Sequence, residues 1–167
     1  VLMEAGEEFN VIPYGTEALG VMRIEKGYAA GPELNGQTSA YDLGMGGMIS
    51  GKKDFIGYTL GLREDLQRDD RLQMVGFKPV NPNDLLLAGS HLLGLRDKAT
   101  TENDQGWISS CIYSPILGHY IGIGFIKSGH SRKGENVRAV DLVRGNDVEV
   151  EICSPHFVDP EGERLRV

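Results

Sequence analysis

The chain has few of the residues that build metal centres and disulfide-linked folds. Only two of its 167 residues are cysteine, Cys111 and Cys153, and its four histidines are scattered. Two cysteines are too few for a disulfide framework. His156 follows Cys153 closely, but the sequence identifies no further donors for such a ligand pair. We therefore expect no metal site and no disulfide, with a reducing cytoplasm as the compartment.

Long apolar runs and an excess of positive charge are also missing. No apolar run approaches the roughly 20 residues that a membrane-spanning helix requires. Lys and Arg number 17 against 24 Asp and Glu, so the net charge is −7 and no basic stripe is present for a phosphate backbone. Hydrophobic residues make up 40% and charged residues 25%, which is typical of a folded globular protein. We expect a cytoplasmic protein that binds neither nucleic acid nor membrane.

The most informative segment covers residues 14–27, which predict one amphipathic helix. Thr16 is the expected N-cap, and Glu17 lies in the first turn, where the helix dipole favours an anion. Gly27 is expected to end the helix, because glycine readily adopts the positive φ of that position. Five apolar residues cover a wide arc that we expect to be buried: Ala18, Leu19, Val21, Met22 and Ile24.

Two charged residues, Arg23 and Glu25, lie beside or within this apolar arc. A charged side chain on a buried face needs a partner. The pattern is compatible with a structural Arg–Glu or Lys–Glu ion pair, or with a frayed helix end that lets Glu25 reach water. It is equally compatible with a polar ligand that Arg23 and Glu25 face. The residues alone leave these alternatives open.

The next part of the chain predicts loops, one short helix and a linker. Residues 28–53 are rich in Gly, Asn, Ser and Thr, which favours turns. The glycine cluster at 44–48 lacks the preceding strand and the following lysine of a phosphate loop. Residues 55–66 predict a short helix, and the mixed-charge run 64–71 is typical of a solvated linker. The pattern at residues 1–9 is that of a helix already under way, so we expect a piece of a longer protein.

From residue 72 onward the apolar pattern has a period of two, which is typical of strands. Six segments predict strands: 71–80, 85–95, 106–114, 120–127, 136–143 and 147–153. About six short antiparallel strands indicate a small closed barrel, because closure removes exposed edges.

Alternation predicts which side chains share a face in two of these strands. In the third strand one face would hold Trp107, Ser109, Cys111 and Tyr113. The opposite face would hold Ile108, Ser110 and Ile112. In the last strand Val148, Val150 and Ile152 would face away from Glu149 and Glu151.

Several motifs carry a resemblance to one family. Residues 23–27, Arg-Ile-Glu-Lys-Gly, resemble the Arg-Leu-Glu-x-Gly helix of the folate-dependent aminomethyltransferases, the family of the glycine cleavage T-protein. Residues 106–118 are similar to that family's barrel signature, Gly…Thr-Ser…Ser-Pro-x-Leu-Gly. Further segments resemble the C-terminal part of one branch, the alpha subunits of heterotetrameric sarcosine oxidases: 30–38, 42–44, 52–57 and 154–165.

The resemblance implies an α+β chain of two parts. Residues 1–66 would be the C-terminal end of an aminomethyltransferase-type folate-binding domain. Residues 67–167 would form the small antiparallel β-barrel of about six strands.

The resemblance also implies a tetrahydrofolate site. Arg23 matches the helix arginine that helps the family bind folate, and a guanidinium suits a carboxylate or carbonyl oxygen. Glu25 is a weaker candidate for the same wall, and Arg164 in the terminal peptide is a further candidate contact. Residues 31–33, Gly-Pro-Glu, replace the Tyr-Gly pair of many family members, so no aromatic contact is expected there. The family's catalytic aspartate and pterin-binding carboxylate belong to an upstream domain, so we expect no catalytic residue here.

The function implied is that of a folate-binding part of sarcosine oxidase. The whole enzyme demethylates sarcosine oxidatively to glycine and captures the one-carbon unit as 5,10-methylenetetrahydrofolate. FAD, FMN and NAD are expected only in other parts of the complex. The expected partners are the rest of the alpha subunit and the other subunits, and the fragment alone is expected to be inactive. The alternatives are a piece of a glycine-cleavage T-protein or of a dimethylglycine oxidase or demethylase, and a non-catalytic folate-binding assembly module.

Overall fold

The computed structural model describes residues 1–166, except the side chain of Leu165. The part before the barrel consists of short helices and turns. Its α-helices are α1 (Leu2–Gly6), α2 (Thr16–Glu25), α3 (Tyr58–Gly61) and α4 (Glu64–Gln67). Single 3₁₀ turns lie at Glu7–Phe9 and Gly46–Met48. In residues 1–166 no helix is both long and apolar enough to cross a membrane.

Six strands form a closed antiparallel barrel, which confirms the predicted architecture. They are β1 (Leu72–Pro79), β2 (His91–Leu93), β3 (Gly106–Ser114), β4 (His119–Lys127), β5 (Asn136–Asp141) and β6 (Asn146–Cys153). The order around the barrel is β1-β4-β3-β2-β5-β6, and β6 closes onto β1. Further 3₁₀ turns lie at Thr101–Asn103, Gly129–Ser131 and Glu163–Leu165.

The barrel interior is filled by apolar side chains from all six strands and from the segment before β2. Its buried residues are Val75, Phe77, Leu86, Leu92, Ile108, Ile126, Val137, Ala139, Val148, Val150 and Ile152. The predicted alternation of the last strand is confirmed, because its three apolar residues belong to this core. Glu151 faces the other way and pairs with Lys78.

The second predicted strand, residues 85–95, was too long. Only His91–Leu93 forms a strand. Leu86 is buried in the barrel core, but the chain then turns, with a Ser90 N to Leu87 O bond and a Gly89 φ of +88°. The apolar residues of 85–95 therefore indicate buried positions and do not indicate one continuous strand. The single helix expected in residues 55–66 is likewise two, because Arg63 is extended between α3 and α4.

Helix α2 ends as predicted and begins differently. Gly27 has a φ of +72°, and the bonds Gly27 N to Ile24 O and Tyr28 N to Arg23 O form a Schellman motif. Glu17 lies in the first turn as expected. The N-cap is Gly15 and not Thr16, because Gly15 is the extended residue and Thr16 is already helical; no side-chain cap bond is present.

The wide apolar arc of α2 is largely uncovered in this chain. Of its five residues only Ile24 is buried, while Leu19 and Met22 are 50% and 44% exposed. Ile24 packs on Ile121 and Ile123 of β4. The expectation that the whole arc is buried was wrong for this chain, because the helix meets the barrel only through its last turns.

Candidate ligand-binding site at Arg23

A β-bulge in β3 builds the barrel side of the site. The register of β3 against β4 shifts between Ile108 and Ser110. A bulge places an extra residue in one strand, so successive side chains no longer alternate across it. Ser109 and Ser110 therefore both reach the same carboxylate oxygen, Glu33 Oε1, at 2.5 and 2.8 Å. The predicted placement of these serines on opposite faces was wrong for this reason.

Glu33 is the centre of the site, and its side chain is fully buried. Besides the two serine hydroxyls, it accepts a bond from Ala30 N at 2.9 Å and one from Arg23 Nη1 at 3.1 Å, both on Oε2. A buried carboxylate is stable only when charge and hydrogen bonds compensate its desolvation, and here four donors do so. In the sequence, Glu33 was notable only as part of the Gly-Pro-Glu departure from the family pattern.

Arg23 projects from the last turn of α2 toward Glu33 and β3. Its Nη2 donates to Ser110 Oγ at 2.8 Å, and Nη1 also lies 3.4 Å from Tyr28 O. The side chain keeps 21% of its surface exposed, whereas that of Glu33 has none. The Arg–Glu ion pair that the sequence left open is therefore present, but its acid is Glu33. Part of the Arg23 side chain therefore remains exposed beside a fully buried acid.

Glu25 lies on the same helix but binds a different part of β3. It is 5% exposed, and its Oε1 accepts a 2.6 Å bond from Ser114 Oγ. Glu25 is therefore neither at a frayed, solvated end nor paired with Arg23. Arg23 and Glu25, the two candidates for one folate-binding wall, thus bind different serines of β3, Ser110 and Ser114.

The C-terminal segment closes over the end of α2. Phe157 N and Val158 N both donate to Glu25 O at 2.9 Å, and His156 Nδ1 lies 2.9 Å from Lys26 O. Lys26 Nζ pairs with the Asp159 carboxylate at 3.1 Å. These contacts satisfy carbonyls that a helix C-terminus leaves without intrahelical partners.

Arg164, the third predicted contact, follows this clamp. It lies in the exposed 3₁₀ turn Glu163–Leu165, where its backbone N donates to Asp159 Oδ2 at 3.3 Å. Asp159 therefore links the Arg164 turn to Lys26 at the end of α2. The roles of Arg23, Glu25 and Arg164 in folate binding remain predictions.

A second ion pair holds the loop that carries Glu33 against the barrel. Arg71 binds Asp42 through Nε and Nη2 at 2.9 and 2.7 Å, and Met74 N donates to Asp42 O at 2.7 Å. Burial alone would raise the pKa of Asp42, but bonds from Arg71 and Ser39 outweigh it and hold that pKa below its ordinary value. Asp42 is thus an ionised anchor.

Both cysteines are free thiols. Burial raises the pKa of Cys153 to about 12 and also raises that of Cys111. A thiol with a raised pKa is a poor nucleophile at neutral pH. Their surroundings therefore favour a structural role.

The fold and the site together define a closed antiparallel barrel joined to the end of a helical domain, with an arginine held at the junction. A solved structure of glycine cleavage system aminomethyltransferase T from Bartonella henselae has this fold. It superposes with a TM-score of 0.71 over 87% of this chain and 39% of that one, at 22% sequence identity.

The chain belongs to the glycine cleavage T-protein family. The model of the glycine cleavage T-protein C-terminal barrel domain matches residues 73–159, and that of the GCVT N-terminal domain matches residues 1–53. The proposed boundary after residue 66 lies between these two matches and stays a prediction.

Relatives within the family are of two kinds. The chain is 42% identical to the sarcosine oxidase subunit alpha of Rhizobium meliloti over 99% of its own length and 17% of that protein's. It is 33% identical to an aminomethyltransferase of Chloroherpeton thalassium over 78% of its length and 34% of the relative's. The chain therefore spans only a small part of the proteins it resembles.

Proposed function

We propose that this chain forms one wall of a tetrahydrofolate site in a sarcosine oxidase alpha subunit. The observation that carries the proposal is the partly exposed side chain of Arg23, whose guanidinium is held by Glu33 and Ser110. The acid of this pair is fully buried, whereas its arginine side chain is partly exposed. A guanidinium fixed at a partly exposed position suits the oxygens of a flat ligand such as folate.

In the whole enzyme, the folate bound here would accept the one-carbon unit released when sarcosine is demethylated to glycine. The acceptor chemistry belongs to tetrahydrofolate, and the part of this chain is to bind and orient it. Flavins and NAD would bind elsewhere in the complex. The rest of the alpha subunit and the other subunits would be the partners.

The choice of sarcosine oxidase over a T-protein is supported by sequence identity. Three sarcosine oxidase alpha subunits are 37–42% identical to this chain, and the aminomethyltransferases among its relatives are 28–33% identical. The alternative of a T-protein fragment would use the same Arg23 site for folate. The two therefore differ in the amine donor and not in the residues described here.

Calorimetric titration with tetrahydrofolate tests the proposal. We expect Arg23→Ala to weaken binding by about 10- to 100-fold, the loss typical of a hydrogen bond to a charged group. Arg68→Ala is the matched control, because Arg68 also forms an ion pair but is 56% exposed and lies in the linker before β1. An Arg23→Ala affinity equal to that of the control would contradict the proposal. The titration is made with this chain and with a longer one that includes the N-terminal domain of the family.

A further inference from the structure

Three of the Arg23 hydrogen-bond donors are used within the protein. Nη1 donates to Glu33 Oε2 and lies near Tyr28 O, while Nη2 donates to Ser110 Oγ. Because Ser110 Oγ itself donates to Glu33 Oε1, the carboxylate and the hydroxyl together cover the edge between the two terminal nitrogens. The guanidinium is therefore fixed through its two terminal nitrogens, Nη1 and Nη2.

The Nε–Nη2 edge of the guanidinium forms fewer hydrogen bonds within the protein. Within residues 1–166 no hydrogen bond from Arg23 Nε is present. A guanidinium carries five N–H donors in a rigid fork, so one Nη2 proton and the Nε proton remain on a shared edge. This edge is the one with which Arg71 binds Asp42 in the same chain. The Nε–Nη2 edge of Arg23 thus binds no carboxylate within residues 1–166, in contrast to that of Arg71.

Glu33 itself has no capacity left for a ligand. Both its oxygens accept two bonds each, and its side chain is fully buried. Three of the four donors come from residues that the fold fixes: the bulge serines of β3 and the Ala30 backbone. Glu33 is therefore held in place by the fold, and it in turn binds the guanidinium of Arg23.

We propose that Glu33 is a positioning residue that fixes Arg23 so that its Nε–Nη2 edge faces the ligand. This inference rests on the proposed folate function and deepens it. Glu33 itself touches no ligand. Ser109 and Ser110 in the bulge of β3 bind Glu33, and Glu33 binds Arg23. The barrel therefore influences ligand binding through Glu33 and Arg23. The ligand group on this edge would be an oxygen acceptor of tetrahydrofolate.

A measurement without ligand tests the positioning step alone. In ¹⁵N NMR spectra of the Arg side chains, we expect the Nε–H of Arg23 to be ordered in the unaltered protein and mobile in Glu33→Gln. The Nε–H of Arg71, bound to Asp42, is the internal reference and should not change. An Arg23 signal equally ordered in both proteins would overturn the inference, whatever the affinity for folate. Ser110→Ala removes only one hydroxyl, and is measured in the same way if Glu33→Gln fails to fold.

A double-mutant cycle tests the consequence for binding. We expect Glu33→Gln to weaken tetrahydrofolate binding about tenfold, and to cause no further loss in the Arg23→Ala background. Independent, additive losses would show that Glu33 does not act through Arg23. Asp147→Asn is the control, since it also removes a carboxylate from an Arg pair, that with Arg138 between β5 and β6, but leaves Arg23 and the Glu33 loop untouched. Its affinity should match that of the unaltered protein. If Arg23→Ala itself had no effect on tetrahydrofolate affinity, the proposed folate site would be refuted. The NMR result would still decide whether Glu33 positions Arg23.

Discussion

The fully buried carboxylate of Glu33 lies 3.1 Å from the guanidinium of Arg23, whose side chain is 21% exposed. This asymmetry distinguishes the pair from an ordinary internal salt bridge. Glu33 accepts hydrogen bonds from four donors, whereas the Arg23 side chain remains partly exposed. The pair also joins three parts of the chain: the end of α2, the loop after it and the bulge of β3.

The Schellman turn after α2 should depend strongly on Gly27. A Cβ at this position would lie 2.5 Å from Pro155 O, and the φ of +72° is strained for any other residue. We expect Gly27→Ala to lower the free energy of unfolding by about 1–3 kcal/mol in urea titration. The control is Gly20→Ala, inside α2, where open space surrounds the added methyl group. This change should raise the free energy of unfolding by about 0.5–1 kcal/mol. Equal effects of the two changes would refute this account of the helix end.

The bulge in β3 should depend on Gly124 of β4. A Cβ on Gly124 would lie 2.3 Å from Trp107 O and 2.8 Å from Ile108 Cα, which are backbone atoms that cannot move aside. We expect Gly124→Ala to cost about 1–3 kcal/mol of stability, measured by thermal or urea unfolding. Gly47→Ala, at an open position in a turn, should change stability by less than about 0.5 kcal/mol. A tolerated Gly124→Ala would mean that the strands do not approach this closely.

The Asp42–Arg71 pair should make stability depend on pH in the acid range. The pKa of Asp42 is lower in the folded protein than the ordinary value of 3.8, so ionised Asp42 stabilises the fold above that value. This contribution is lost as the pH falls through the lower, folded pKa. We expect Asp42→Asn to be less stable by about 2 kcal/mol at pH 7, with the difference shrinking below about pH 4. A difference that is constant between pH 7 and pH 3 would exclude this role.

Neither thiol should react readily in the folded protein. Because burial raises the pKa of Cys153 to about 12, almost none of it is thiolate at pH 8. We expect iodoacetamide to modify Cys153 and Cys111 slowly in the native state and rapidly in urea, as followed by mass spectrometry. Rapid native labelling of Cys153 would show that its thiol is not shielded as described.

The sequence was sufficient for features that depend on local patterns. The period of two located six strands, and the glycine after α2 predicted the end of that helix. The bulge was not predicted because the run from Trp107 to Tyr113 contains no glycine to mark an extra residue in the strand. Only pairing with β4, where Gly124 admits the extra residue, reveals that Ser109 and Ser110 point the same way.

The partners of the charged residues could not be predicted for a related reason. The sequence showed that Arg23 and Glu25 needed compensation, but several acids and hydroxyls were available. Glu33 contacts Arg23 because the loop after α2 returns to the barrel. Glu25 binds Ser114, which lies 89 positions later in the chain. Such contacts are set by the closed barrel, which brings distant segments onto one outer face.

The most direct test of the account is a crystal structure of the protein with tetrahydrofolate bound. We predict that an oxygen of the folate lies within hydrogen-bond distance of Arg23 Nε or Nη2, while the contacts of Arg23 with Glu33 and Ser110 persist. Folate bound away from Arg23, or Arg23 turned away from Glu33 to reach it, would contradict the account.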